Sequence, residues 1–244
     1  MNDPIIIAKD INKVLGSGAG QVHALKNVNL SLRGGEVTML MGPSGSGKTT
    51  LLSVLGCMLA PTSGTVQVCG VASEGANAEQ LAKLRREHIG FVFQTYHLFP
   101  TMSAVENVQL ALDVRGLCGR IARAKAHDAL EKVGLAHKLC SYPLELSGGE
   151  QQRVAIARAI VSDPSAILAD EPTGALDGCN GQAIMSILAT IAADSDRSVL
   201  VVTHDSRLTS FADRIIFIED GRLVDEQVGN ARAPKRRTAA LAGH

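Results

Sequence analysis

Apolar residues follow two rhythms along this chain, and the changes of rhythm divide it. Short apolar runs come first, at residues 5–8, 28–32 and 36–41, with Gly34-Gly35 forming a turn between the last two. Residues 50–55 read as the start of a helix, 61–64 as a turn, and 65–68 and 89–93 as further strands. From about 103 to 161 the spacing becomes helical. Ala126, Ala129, Leu130 and Val133 recur at i, i+3, i+4 and i+7, and Gly134 stands where a helix stop belongs. Strand-like runs then return at 166–169 and 199–202. These are apolar at nearly every position, as expected of strands covered on both faces of a parallel sheet. Residues 215–218 and 223–224 predict a closing hairpin around Asp220-Gly221. The pattern as a whole predicts an α/β protein with a mostly parallel sheet and a helical middle.

Composition narrows the picture. With 244 residues, 45% hydrophobic and only 3% aromatic, the chain can bury a large core that must be aliphatic. Formal net charge is zero, which argues against nucleic acid as the main partner. Four of the 24 basic residues, Arg232, Lys235, Arg236 and Arg237, lie in an acid-free tail, so the body is mildly acidic. Residues 230–244 read as a disordered basic tail, with weak contact to anionic lipid as the functional alternative. Five scattered cysteines without C-x-x-C spacing read as small buried hydrophobes in a reducing compartment. No basic segment of a secretory signal opens the chain, and no apolar stretch reaches about 18 residues, so no membrane span is expected.

The chemistry-bearing stretch is Gly42-Pro43-Ser44-Gly45-Ser46-Gly47-Lys48-Thr49, followed by Thr50 and the start of a helix. A strand feeding a glycine-rich loop into a helix N-terminus is an anion cradle, because backbone N–H groups and the positive helix end converge on phosphate. In this pattern Lys48 reaches the β/γ-phosphates and the Thr49 hydroxyl can ligate Mg²⁺. Asp170-Glu171 follows the 166–169 run, at the strand end where α/β folds bind ligands. Asp170 could hold the water shell of Mg²⁺ and Glu171 could polarise an attacking water, although an acidic pair capping the turn at Pro172 also fits. Ser147-Gly148-Gly149-Glu150 opens another helix. A capping box between Ser147 and Glu150 is a sufficient structural explanation, and a second phosphate-binding helix end is the functional one. His204 and Gln94 each sit just past a strand, His204 as readily structural as catalytic and Gln94 within possible reach of a metal ion or water.

These residues resemble the nucleotide-binding subunit of ATP-binding cassette (ABC) transporters from about residue 5 to 226. The order is the phosphate loop 42–49, Gln94, the signature 146–150, Asp170-Glu171, Ala175-Leu176-Asp177, and His204. The resemblance implies a P-loop NTPase core with an N-terminal antiparallel β subdomain and a helical subdomain at about 95–161, the cassette covering 1–229. It implies ATP and Mg²⁺ as cofactors, with Thr49, Gln94 and Asp170 toward the metal. It implies a head-to-tail dimer of two copies, in which the phosphate loop of one faces the signature turn of the other across ATP. Glu171 is then the base, His204 the switch holding the γ-phosphate and Glu171, Gln94 the sensor coupled to the membrane subunit, and Asp177 a residue of the dimer seam. The partner is an integral membrane permease, which places the chain peripherally on the cytoplasmic face of the membrane.

The stretches 169–177, 84–90 and 96–98 are similar to the branch that powers lipoprotein release, macrolide export and related efflux. A regulatory ATPase signalling through a membrane partner without transport is the alternative. A soluble ABC-type ATPase acting on DNA or ribosomes fits less well, since neither a second cassette nor a long coiled-coil insertion is present. One departure concerns the base: the family's adenine-stacking aromatic is replaced by Leu15, which offers apolar contact without a quadrupole. The loop 95–102 carries two of the seven Phe and Tyr residues and is expected to dock the permease, unless Leu98 and Phe99 merely plug the join between subdomains.

Overall fold

The structure, a computed structural model, describes residues 3–229; the tail 230–244 lies outside the described residues. The chain opens with β1 (Pro4–Leu15) and β2 (Val22–Arg33), then β3 (Glu36–Met41) and helix α1 (Lys48–Leu55). Next come β4 (Ser63–Val68), β5 (Val71–Ala72), α2 (Ala78–His88) and β6 (Ile89–Val92). The helical stretch is α3 (Ala104–Asp113), α4 (Gly119–Lys132) and α5 (Gly148–Ile160). The chain closes with β7 (Ala166–Asp170), α6 (Gly178–Ala192), β8 (Ser198–Val202), β9 (Arg214–Glu219) and β10 (Arg222–Val228).

Two sheets result. A six-stranded sheet runs β10-β9-β3-β8-β7-β6, parallel throughout except for the β9–β10 hairpin. A four-stranded antiparallel sheet runs β2-β1-β4-β5. This is the expected P-loop NTPase architecture with its antiparallel β subdomain and helices. The hairpin turns on Asp220 (φ 47°) and Gly221 (φ 76°), the paired positive φ of a type I′ turn.

The central strands are apolar at most positions because alternate side chains serve different cores. Met39, Ile167, Ala169, Val199 and Val201 point toward α3, α4, α5 and α6. Leu40, Leu168, Leu200, Val202 and Ile216 point toward α1 and the antiparallel sheet. Leu40 and Leu200 are fully buried, each contributing about 1.5–3 kcal/mol in hydrophobic transfer. In α4 the predicted stripe of Ala126, Ala129, Leu130 and Val133 is buried. The helix stops where Gly134 takes φ 77° and Leu135 N–H closes on the Leu130 carbonyl at 2.8 Å.

Three readings need correction. Strands β1 and β2 are 12 residues each, far longer than the apolar runs at 5–8 and 28–32. Register shifts interrupt their alternation, and Asp10 (φ 52°) and Asn27 (φ 53°) break the run seen in sequence. Helix α6 went unread, since it opens on Gly-Cys-Asn-Gly, which is weak helix-forming sequence. Of the five cysteines only Cys57 is buried; burial pushes its thiol up to about 11, while Cys69, Cys118, Cys140 and Cys179 are exposed.

Candidate functional site

Strand β3 delivers Gly42 to the C-terminal edge of the sheet, and the loop curls back into α1. Gly47 caps that helix at φ 103°, and a β-carbon on it would stand 2.5 Å from the Ala24 carbonyl oxygen, so only glycine fits. Lys48 Nζ donates to the Gly42 and Pro43 carbonyls, each at 2.8 Å, which folds the ammonium across the mouth of the loop. Ser46 is 3% exposed, and its hydroxyl has no hydrogen-bond partner among the described residues. A buried polar atom without a partner calls for an explanation, and a ligand in this loop would supply one.

Two further strands end at the same edge. The Thr203 N–H donates to Leu40 O at 3.1 Å and the Glu171 N–H to Val202 O at 2.9 Å, so the ladder holds the residues past β7 and β8 in line. The Thr49 hydroxyl donates to Asp170 Oδ1 at 3.3 Å. Burial raises the Asp170 carboxyl above the usual range; the Thr49 hydrogen bond and the Lys48 charge oppose this, and the Glu171 charge adds to it. Glu171 takes φ 46°, a left-handed conformation uncommon for a residue with a β-carbon, and this turns the chain after the strand. Its Oε1 lies 2.8 Å from His204 Nδ1. With Glu171 ionised that contact requires the hydrogen on Nδ1, which leaves Nε2 on the exposed side of the ring for another group.

A cleft of about 780 Å³ takes in Ser44, Gly45, Lys48, Thr49, Thr50 and Glu171 on one side and Leu15, Val22 and His23 on the other. Leu15 is the last residue of β1, paired directly across from Val22, and no Phe, Tyr or Trp lines the cleft. A second cavity of about 400 Å³ shares Glu171 and adds His204 and Asp177. Gln94 is exposed and lines neither; its Nε2 lies 2.8 Å from where a β-carbon on Gly174 would stand, over the turn that follows Glu171.

The signature turn is built separately. The Glu150 N–H donates to Ser147 Oγ at 3.3 Å, and the Ser147 N–H to Glu150 Oε2 at 2.8 Å, the expected capping box. That second bond is the main reason the Glu150 carboxyl sits below its usual range. Ser147, Gly148, Gly149 and Glu150 line neither of the two cavities. Their neighbours were not anticipated. A β-carbon on Gly148 would stand 2.9 Å from the Tyr96 hydroxyl, and one on Gly149 would stand 2.9 Å from Asn180 Oδ1. Asn180 also donates N–H and Nδ2–H to the Asp177 carboxylate at 2.9 and 2.8 Å, which depresses the Asp177 carboxyl. An Asp with Asn three residues on is a helix-cap signal, and it could have marked both Asn180 and the start of α6. In the loop 95–102, Leu98 is half-buried against the helical core while Phe99 is 49% exposed, so the plug explanation holds for Leu98 alone.

Comparison with known proteins agrees with this geometry. The family profile described as ABC transporter matches residues 25–174. An ABC transporter ATP-binding protein, MJ0796 of Methanocaldococcus jannaschii, is 43% identical over 227 residues, covering 91% of this chain and 97% of that protein. The macrolide export ATP-binding/permease protein MacB of Shigella flexneri is 43% identical over 221 residues, 91% of this chain but 34% of MacB, so the chain spans about a third of that relative. A dimeric structure of MJ0796 in a post-hydrolysis state with ADP and Pi matches with a TM-score of 0.84 at 40% identity, covering 91% and 98% of the two chains. The cbiO1 protein of Clostridium perfringens, part of the ABC transporter complex cbiONQ, matches with a TM-score of 0.82 at 29% identity, covering 94% and 89%. The chain belongs to the ABC transporter family, as an ATP-binding cassette with ATPase activity.

Proposed function

We propose that this cassette is the ATP-hydrolysing subunit of a transporter of the efflux or lipoprotein-release type. Head-to-tail dimerisation upon ATP drives a separate integral membrane permease, at the cytoplasmic face of the membrane. One observation carries the reading: the phosphate-loop cleft gathers Lys48, Thr49 and Glu171, yet the Ser147 helix end, which we read as a second phosphate-binding end, lies outside it. A single copy therefore holds two half-sites, and a second copy turned head to tail completes both. The dimeric relative and the permease-bearing relatives support this arrangement.

The residues fit Mg²⁺. The Thr49 hydroxyl and the Asp170 carboxylate, 3.3 Å apart, are hard oxygen donors of the kind that ion prefers and would hold it, while Gln94 lies outside both cavities. Held there by Thr49 and Asp170, the ion would supply positive charge against the developing negative charge of the phosphate. The chain's own groups supply the rest. Lys48 exchanges its two carbonyl acceptors for phosphate oxygens, the Ser46 hydroxyl gains a partner, and the α1 N-terminus adds its dipole. Glu171 polarises the attacking water while the His204 Nδ1–H bond fixes its carboxylate, and Nε2 remains for the γ-phosphate. Leu15 and Val22 give the base apolar contact.

The test is Glu171→Gln. It removes the water-polarising charge and leaves the phosphate loop intact, so turnover should fall by roughly 10²–10⁴-fold while ATP binding persists. The variant should run as an ATP-bound dimer on size exclusion. Near-normal hydrolysis would overturn the role of Glu171, and an ATP-loaded monomer would overturn the two-copy site.

A further inference from the structure

Residues 230–244 follow Gly229, which lies at the edge of the six-stranded sheet opposite the phosphate loop: its neighbour Val228 pairs with Arg214, the first residue of β9. Hydrogen bonds run from there along that edge. The Gly229 N–H donates to the Asp213 carbonyl at 2.8 Å, the Val37 N–H to Asp213 Oδ2 at 2.9 Å, and the Gly35 N–H to the Arg197 carbonyl at 2.8 Å. Since β9, β3 and β8 are neighbours in that order, Arg197, just before β8, lies two strand spacings from Gly229, about 10 Å.

Beside Arg197 opens a groove of about 510 Å³. Its apolar lining is Val133, just past α4, Ile160, the last residue of α5, and the half-buried Ile187 and Ile191 of α6. The groove therefore runs between the helical region and the helix that packs on β3 and β8. Where α6 leads into β8, three carboxylates share one guanidinium. Arg197 pairs with Asp163 and, at 3.6 Å, with Asp194. Asp196 forms no ion pair among the described residues. All three carboxylates are exposed, so this rim is negative on balance. Lys132, on the α4 side, is the remaining charged residue of the lining.

The segment 230–244 carries the complement of this surface, in matching order. Arg232, Lys235, Arg236 and Arg237 come first, with no acid among them. Three residues of extended chain take Arg232 about 10 Å from Gly229, the distance to the acidic rim. Leu241, the one large apolar side chain of the segment, comes next, among Ala239, Ala240 and Ala242. We propose that this segment straps the edge of its own cassette: the basic run 232–237 rests on Asp163, Asp194 and Asp196, and Leu241 enters the groove between Ile160, Ile187 and Ile191. The stretch 238–244, which comes nearest Lys132, has no Lys or Arg. A tether this short holds the segment at an effective concentration in the millimolar range, so contacts too weak to bind between separate molecules suffice. An anionic lipid surface would take the basic run, yet it would leave the groove open and meet the three carboxylates as like charges. Covering the groove joins the ends of α4 and α5 to α6, so the strap resists their parting at the end far from the phosphate loop. The inference stands on these groups and does not rest on the transport reading.

The experiment compares isoleucine-methyl NMR spectra of the full chain and of a chain ending at Gly229. Removing 230–244 should shift the Ile160, Ile187 and Ile191 signals and leave those of Ile6 and Ile11, in the other apolar interior, in place. Leu241→Asp in the full chain should reproduce the shifts. Asp196→Lys should move the same signals in the same direction; Asp196 has no ion pair to lose, so this variant tests the rim without disturbing the Arg197 pairs. Raising salt from about 0.05 to about 0.5 M should do likewise, since the basic run is then screened from the rim. Unchanged Ile160, Ile187 and Ile191 signals on truncation overturn the strap, whether or not the full chain binds phosphatidylglycerol vesicles. Shifts that vanish on tenfold dilution of the full chain assign the segment to a second copy and overturn it as well. If truncation moves signals throughout both interiors, Leu241→Asp decides: shifts confined to the three groove methyls support the strap, and any other pattern overturns it.

Discussion

Asn107 supports a quantitative prediction. It is fully buried in α3 and staples the preceding loop to the helix. Its Oδ1 accepts the Phe99 N–H at 2.8 Å, and its Nδ2 donates to the carbonyls of Phe99, Met102 and Ser103 at 3.1, 2.9 and 3.1 Å. Asn107→Ala removes all four. The Ser103 carbonyl keeps the Asn107 backbone N–H at 2.9 Å and the Phe99 carbonyl keeps the Met102 N–H at 3.2 Å, so two groups, the Phe99 N–H and the Met102 carbonyl, are left without a replacement partner. At about 1 kcal/mol net for each, and up to about 2 where water cannot reach, the loss is about 2–4 kcal/mol. For a chain of this size that lowers the melting temperature by roughly 4–16 °C, measurable by circular dichroism. Asn107→Asp sharpens the test. It keeps the acceptor for Phe99 but turns a carboxylate toward three carbonyl oxygens, so at pH 7 it should be less stable than the Ala variant. Its folded pKa is raised, so that deficit should shrink as pH falls, opposite to the usual carboxylate. A loss under about 0.5 kcal/mol for Ala, well below a single hydrogen bond, or an Asp variant as stable as the parent at pH 7, would refute the staple.

Other outcomes follow from the same geometry. Leu15→Tyr should tighten ATP binding by about 0.5–1.5 kcal/mol, the worth of a well-placed aromatic pair, in titration calorimetry; no change, with tripolyphosphate binding as well as ATP, would show that the base is not held there. Gly149→Ala pushes a methyl group against Asn180 Oδ1; nucleotide binding should persist while ATP-dependent dimerisation is lost, and normal dimerisation would remove the signature turn from the interface. The Glu106 and Glu150 carboxyls are depressed, chiefly by the Ser103 hydroxyl and the Ser147 backbone N–H respectively. Their caps therefore stabilise the fold above the ordinary pKa of 4.5 and are lost as pH falls through the lower folded values. Glu106→Gln should flatten the loss of stability below pH 5 in acid titrations, and an unchanged slope would exclude this cap as its source.

The fold was legible where burial on two faces writes a near-continuous apolar run, as at 166–169 in β7 and 199–202 in β8, and where geometry demands a particular residue, as at Gly47. It was not legible where one face is wet. In β1, Lys9, Asp10 and Asn12 hide a strand whose other positions, Ile6, Ala8 and Ile11, are buried. The site divides the same way. The phosphate loop and the Ser147–Glu150 box are local in sequence, so spacing reveals them. The Glu171–His204 contact spans 33 residues, and the left-handed turn at Glu171 has no signature in residue type. The cysteines show the limit of average behaviour: Cys69 takes φ 49° in a turn and Cys118 caps α4, positions set by the backbone and not by hydrophobicity.

The alternation of β3, β7 and β8 sends neighbouring residues of one strand into two apolar interiors separated by the thickness of the sheet. The sheet is therefore a bulkhead. Trimming Val201 on one side and Leu200 on the other disturbs different sets of neighbours, so their effects on stability should simply add, whereas two trims on the same side should interact. The foundation beneath the phosphate loop stands in one compartment and the footing of the helical region in the other. The helical region can then tilt or loosen at the expense of its own compartment alone, while the grip on the nucleotide keeps its shape.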